Sequence, residues 1–340
     1  MPDVFDRRTL NRVVQQRVYK GSFFLDTFFK PELPADTEFI EVDIEKTGGR
    51  KLAPVVSPVV GGVVVKKDGS EQRTFKAPYL HPKTIITPKD MAKRFAGENP
   101  YGDTITPEMR LARKVAKELS RLDDSIERRK EYYAAQALLE GKTVVSGEGV
   151  EYEIDYQRDV ELTVTLTSTD LWSDAASDPI DDLRNFRRLL NKRGYTPDTV
   201  VLGANVIKNF FSHQAVKDHY ATSGFNIAQL EQTPIGSGVV YHGAIPEFGK
   251  IYSYNEWYFD EDTQTSLPLM PEDKILLGDS SADNRLLHGA VQNMHAGGMA
   301  ALEKFVDRKD LDGKGMELKV ESAPLPALTS PDSVLVATVI

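Results

Sequence analysis

The stretch PVVSPVVGGVVVKKDGSEQRTFKAPYLHPKTIITP, residues 54–88, decides how this chain is to be read. Val59, Val60, Val63, Val64 and Val65 read as strand, but they do not alternate with polar residues, so both faces of the run need cover. Asp68-Gly69 supplies the positive φ of a tight hairpin turn, and Gln72-Arg73-Thr74-Phe75-Lys76 reads as the returning strand. A lone two-stranded hairpin is marginal in water and needs further strands or an external packing surface. The flanks, punctuated by Pro54, Pro58, Pro78, Pro82 and Pro88, offer no such strands. The missing cover is expected from a neighbouring chain.

Downstream, Thr106 as N-cap and Pro107 at the first helical position open a helix that Gly141 closes. Leu111, Val115, Leu119, Leu122, Ile126, Tyr133 and Ala137 form an apolar stripe at three- and four-residue spacing. Arg110, Lys114, Lys117, Arg121, Arg128 and Arg129 crowd the rest of the surface. Those cations read either as a wet helix face or as a contact with a polyanion. Upstream, Arg7 to Tyr19 is a short amphipathic helix carrying Leu10, Val13, Val14 and Val18. Phe23, Phe24, Leu25, Phe28 and Phe29 form a dense apolar cluster stopped by Pro31 and Pro34. Thr37 to Ile44 alternates as a half-buried strand.

Beyond the long helix, Lys142–Val145, Val150–Tyr156 and Val160–Thr167 read as an antiparallel meander. A second lobe then begins. It has a helix from Pro179 to Leu190, a strand Thr199–Leu202, a helix Ala204–Tyr220, and strands at Val239–Ile245, Lys250–Phe259, Lys274–Leu277 and Leu286–Ala290. The tail, Met316–Glu321 and Ser333–Ile340, alternates as two strands and is expected to return to the first lobe, making the second lobe an insertion.

The chain's 340 residues exceed the size at which one core usually stops growing, so two lobes are expected. An apolar fraction of 40% with 27% charged residues excludes a wholly disordered chain. Without cysteine there is no disulfide and no thiolate metal site, which fits a reducing compartment. The basic start, Arg7 to Lys20, lacks the apolar core of a secretory signal, and no run reaches the roughly 20 apolar residues of a membrane span. A net charge of −9 argues against sequence-specific DNA binding.

The catalytic and metal signals are weak. Gly141-Lys142-Thr143 imitates the end of a phosphate-binding loop, but Gln136 stands where that motif needs glycine, and the tripeptide ends a helix instead of opening one. Asp310-Leu311-Asp312-Gly313 suggests a calcium loop whose first and twelfth ligands would be Arg308 and Lys319, so it reads as a polar turn. His81, His213, His219, His242, His288 and His295 show no ligand spacing. The paired carboxylates Asp123-Asp124 and Asp181-Asp182 read as solvation or capping. No catalytic, cofactor or metal residue is assigned, and the chain reads as a non-enzyme.

Taken in order, several motifs resemble the lambda-like major capsid proteins of tailed phages. They are Phe23 to Phe29, Val56-Ser57-Pro58-Val59-Val60-Gly61-Gly62, Pro78-Tyr79-Leu80-His81-Pro82-Lys83, Leu139-Glu140-Gly141-Lys142 and Gly147-Glu148. Trp172 with Asp178-Pro179-Ile180-Asp181-Asp182 follows, then Glu321-Ser322-Ala323-Pro324 and Pro331-Asp332. The resemblance implies an α+β, Hong Kong 97-like capsid fold. Residues 1–50 would be an N-terminal arm with contacts through Phe23, Phe24, Phe28 and Phe29. Residues 51–90 would be an extended β-hairpin loop, contacting a neighbour through the five valines and Phe75 and hinged at Pro58, Gly61, Gly62, Asp68 and Gly69. Residues 91–167 and 309–340 would form a peripheral domain whose spine helix, 107–140, packs through Val115, Leu119, Leu122 and Ile126. Residues 168–308 would be an inserted axial domain.

The function this implies is a major head protein self-assembling into hexamers and pentamers of an icosahedral shell around double-stranded DNA. Its implied partners are copies of itself, a scaffolding protein, a portal, a small decoration protein at threefold positions, and DNA held non-specifically, with no membrane. Assembly would occur in the host bacterial cytoplasm and the product would be the virion. Covalent cross-linking is not carried over, because Lys66 and Lys67 near the loop tip have no assignable partner. The alternatives are an encapsulin-like compartment and a soluble enzyme with an unrecognised site.

Overall fold

A computed structural model describes residues 6–15, 21–45, 70–92, 106–222, 233–236, 238–245, 247–261 and 263–340, together with 52 and 55. Its organising element is the helix Pro107–Glu140, 34 residues and about 50 Å long. Thr106 accepts a hydrogen bond from the Met109 N–H at 3.3 Å, and Pro107 occupies the first turn. At the other end Gly141 turns left-handed, with φ 71°, and its N–H closes on the Ala137 carbonyl. Arg158 donates to the carbonyls of Leu138 at 2.5 Å and Leu139 at 2.9 Å, which sets a cation on the negative end of the helix dipole.

Three cores gather on this helix and beside it. Val115, Leu119, Leu122 and Ile126 are buried against Leu10 and Val14 of the helix Arg7–Gln15, Ile86, and Val306, Leu318 and Val320. Those last residues belong to a three-stranded antiparallel sheet in which Met316–Glu321 lies between Phe305–Asp310 and Lys83–Ile86. The turn joining its first two strands contains Asp312 and Gly313, both at positive φ, which is the polar turn the sequence suggests.

The second lobe is built on a seven-stranded mixed sheet. Its order is Thr163–Thr165, Val334–Thr338, Lys274–Gly278, Thr199–Leu202, Gly249–Tyr254, Val239–Ile245 and Thr233–Gly236. The two-residue period of a strand divides the sheet between two cores. Val201, Leu276 and Val336 face the core shared with the C-terminal half of the long helix. Val200, Leu202, Ile275, Leu277, Leu335 and Ala337 face the core covered by the helices Pro179–Lys192, Ala204–Ser212 and Gln214–Thr222.

Several expectations are corrected here. The tail does not return whole to the first lobe: Val334–Thr338 lies inside the second lobe's sheet, parallel to Thr163–Thr165 and antiparallel to Lys274–Gly278. Its continuous apolar run suits a strand buried on both faces better than an alternating edge. The third strand of the expected meander is therefore absent from the hairpin Lys142–Gly147/Val150–Asp155, and Val160–Leu162 is a 3-10 turn leading into the large sheet. The helix expected over 204–220 breaks at His213, which is extended. The strand expected over 250–259 is two, Gly249–Tyr254 and Trp257–Asp260.

Candidate assembly surfaces

The ribbon that opens the sequence reading has an internal anchor. Ser70–Lys76 pairs antiparallel along its whole length with Phe39–Glu45, from Phe39↔Lys76 to Glu45↔Ser70. This corrects the expectation that cover for the returning strand 72–76 must come from a neighbouring chain: Ile40, Val42 and Ile44 alternate into the main core and carry the pair with them. Phe75 is half-buried, its ring 5.9 Å from that of Tyr156, so it packs within the chain. Tyr152 donates to the Lys76 carbonyl at 3.0 Å, which ties the ribbon to the hairpin after the long helix. The chain leaves this root at Glu45 and re-enters it at Ser70. Pro58, Val59, Val60, Gly61, Gly62, Val63, Val64, Val65, Asp68 and Gly69 lie outside the described residues.

The arm aromatics lie where a dense apolar cluster belongs, in the core, and only the arm contacts that the resemblance implies for them are corrected. Phe24, Phe28 and Phe29 are buried in the main core, and Phe23 is half-buried against Tyr252 and Tyr254 at ring distances of 5.1 and 5.4 Å. Phe28 lies so close to Gly278 that a Cβ there would stand 2.7 Å from its ring. Glu131 holds the short helix Phe23–Phe28 in place: its carboxylate accepts from the N–H groups of Phe24 at 2.7 Å and Leu25 at 3.1 Å, and from the Tyr254 hydroxyl at 3.1 Å. Burial outweighs these donors and pushes the Glu131 carboxyl up to about 8. A neutral Glu131 can donate to Tyr254, which donates onward to Glu256 at 3.3 Å.

A second network lies where the first helix meets the three-stranded sheet. Asp307 and Glu321 are both buried, on neighbouring strands. Asp307 accepts from Arg7 at 2.8 Å and lies 2.9 Å from His295 Nδ1 and 3.4 Å from Lys319 Nζ. Glu321 accepts from Tyr79 at 3.0 Å and from Asn293 at 3.0 Å, and lies 3.0 Å from Lys319 and 3.2 Å from His81. Despite the cost of burial, the surrounding donors hold Asp307 down at about 2, while burial, helped by Glu321, pushes the Tyr79 hydroxyl well up. These contacts bind the start of the chain, the segment after the ribbon and the C-terminal sheet at one place. Glu321 falls in a motif the sequence reading quotes; Glu131 and Asp307 carry no sequence signal, since on an isolated helix or strand they look like ordinary surface acids.

Charge burial recurs between the long helix and Lys304, whose ammonium lies 2.5 Å from both Asp123 and Glu127. Lys130, also buried, pairs with Glu127 at 3.0 Å. Glu127, Lys130 and Lys304 line a cleft of about 530 Å³ with Asp26 and Leu302. Among the remaining histidines, His242 meets the Ser253 hydroxyl at 2.7 Å, and burial drives His288 down to about 3. Asp178 caps the helix Pro179–Lys192, and Asp182 accepts from the Trp172 indole at 2.8 Å. Among the described residues no three His, Asp or Glu side chains gather as a metal site, and no helix is long and apolar enough to cross a membrane.

Two exposed aromatics share one hairpin of the second lobe. Trp257 and Phe259 share one face of the hairpin Trp257–Asp260/Thr265–Pro268 and are exposed, while Tyr258 on the other face packs on Tyr132 of the long helix at 4.9 Å.

This architecture is that of a phage shell subunit. The crystal structure of the capsid protein assigned to a prophage of Escherichia coli CFT073 superposes with a TM-score of 0.73 over 99% of both chains, at 20% identity. It shares the Hong Kong 97-like mixed fold. The phage major capsid protein E model matches residues 6–339, and the chain belongs to that family. It is 24% identical to the major capsid protein of Enterobacteria phage P21 over 343 residues, 99% of each chain. It is 26% identical to that of Escherichia phage lambda over 328 residues, 94% of each. The family is structural and not enzymatic, so the chain is a component of a virion shell that assembles with copies of itself.

Proposed function

We propose that this chain tiles an icosahedral head as hexamers and pentamers enclosing double-stranded DNA, with residues 46–69 reaching from the ribbon root onto an adjacent subunit. The observation that carries the reading is the root itself. Glu45 and Ser70 are paired and fixed to the main core, while the valine-rich insert between them has the composition of a segment covered on both faces. Ordering such an insert costs about 1–2 kcal/mol per residue in backbone entropy, so it requires burial in a large interface. Pro58, Gly61, Gly62 and the Asp68-Gly69 turn serve as its hinges. The second lobe, whose seven-stranded sheet also takes in Thr163–Thr165 and Val334–Thr338, is the axial domain, and the long helix is the spine of the peripheral one.

The same reading supplies the remaining partners: a scaffolding protein during assembly in the host cytoplasm, a portal at one vertex, and a small decoration protein at threefold positions. It is tested by replacing Val56–Gly69 with a short Gly-Ser linker, which spares the paired strands. The variant should stay folded by circular dichroism and yield no stable shells by electron microscopy. Intact shells from it would sink the proposed role of the insert.

A further inference from the structure

The long helix carries two kinds of cation. Lys114 pairs with Glu118 at 3.0 Å, Lys130 is buried on Glu127, and Arg129 lies over the rings of Tyr132 and Tyr133 at 5.6 and 5.8 Å. Arg113, Lys117 and Arg121 are exposed, and none has an ion pair or hydrogen bond among the described residues. Arg128 is exposed beside Glu256. At 100° per residue these four fall within an arc of about 80°, extending about 22 Å along the axis. Val115, Leu119 and Leu122 occupy the opposite, buried side. The acid within the same arc, Asp124, is half-buried with one oxygen shielded from solvent.

We propose that Arg113, Lys117, Arg121 and Arg128 form a phosphate-contacting row for duplex DNA, an inference that rests on the shell reading above. Protein interfaces centre on clusters of aromatic and aliphatic anchors, and the exposed apolar side chains beside this row are only the isolated Met109, one turn before Arg113, and Ala116. Phosphate contacts need just long cationic side chains, here stepped by about 6 Å per helical turn, and carry no sequence information. The net charge of −9 keeps the contact weak, on the order of 10⁻⁴–10⁻⁶ M at physiological salt, as suits a wall that must release its contents.

The test is the fluorescence anisotropy of a labelled 24-base-pair random duplex titrated with the purified full-length protein between 50 and 300 mM NaCl. The logarithm of the affinity should fall against the logarithm of salt with a slope of about −3.6, one contact for each of the four cations. Arg113→Gln/Lys117→Gln/Arg121→Gln should lose more than tenfold in affinity at 50 mM and flatten the slope by roughly 2.7. Lys117→Gln alone should flatten it by about 0.9, which keeps the test decisive should the triple variant fold poorly. Lys208→Gln/Lys217→Gln, exposed lysines of the second lobe, should bind as the unaltered protein does. Equal binding by the row variants and the unaltered protein overturns the proposal, as does tighter binding of a polyglutamate peptide than of the duplex. Row variants that bind DNA normally and still form shells defeat the row alone; absence of shells from the unaltered protein defeats the reading beneath it.

Discussion

The two halves of the long helix live in different surroundings. From Thr106 to Leu122 the helix is one-sided, with an apolar stripe on the first helix and the small sheet and an exposed basic row facing away. From Asp123 to Leu139 it is mostly enclosed, with Arg128 and Arg129 its exposed positions: Tyr133, Ala134, Ala135, Ala137 and Leu138 are buried, and so are Asp123, Lys130 and Glu131. The first half leaves one side open to solvent. The second is the post to which arm, ribbon and second lobe are fastened, and its alanines are small because other backbone must come close.

This contrast breaks most severely at Glu131. Glu131→Ala leaves the two buried N–H groups of Phe24 and Leu25 without their acceptor, a loss of about 3 kcal/mol or more, read as a lower denaturation midpoint. Ala137→Leu in the enclosed half should cost about 1–3 kcal/mol by overpacking, whereas Ala116→Leu in the open half should stay within about 0.5 kcal/mol. Thr106→Ala should remove about 1 kcal/mol by uncapping the first turn, measurable as a lower melting temperature.

Acidity separates two fastening points in opposite directions. Glu131 is raised to about 8, so between about 4.5 and 8 the folded chain keeps a proton that the unfolded chain releases, and this contribution to stability falls as pH rises. Asp307 is held at about 2, so its contribution is present above about 3.8 and is lost as pH falls toward 2. Below about 6.5 the depressed His288 adds a rise of stability with pH that opposes Glu131, so melting curves from pH 6.5 to 8 should show the downward slope that Glu131→Gln flattens and Asp307→Asn leaves in place.

The open half of the helix was legible in the sequence because stripe, cap and stop all obey local rules: Thr106, Pro107 and Gly141 stand at the ends the structure shows. The enclosed half was legible only in outline. Glu131 and Asp123 are acids on a charged helix, and only the fold reveals that arm and sheet close over them. The ribbon taught a similar lesson. Its returning strand was visible in Gln72–Lys76, but its partner, Phe39–Glu45, precedes it by some thirty residues, and long-range pairing leaves no local mark. Strand Val334–Thr338 was misplaced for the same reason: an apolar run announces burial without naming the sheet that provides it.

The central claim is that these fastened parts form a subunit of a closed shell. Negative-stain electron microscopy of the purified full-length protein tests it most directly. The account predicts closed particles tens of nanometres across; a monodisperse population of single folded subunits under the same conditions would contradict it.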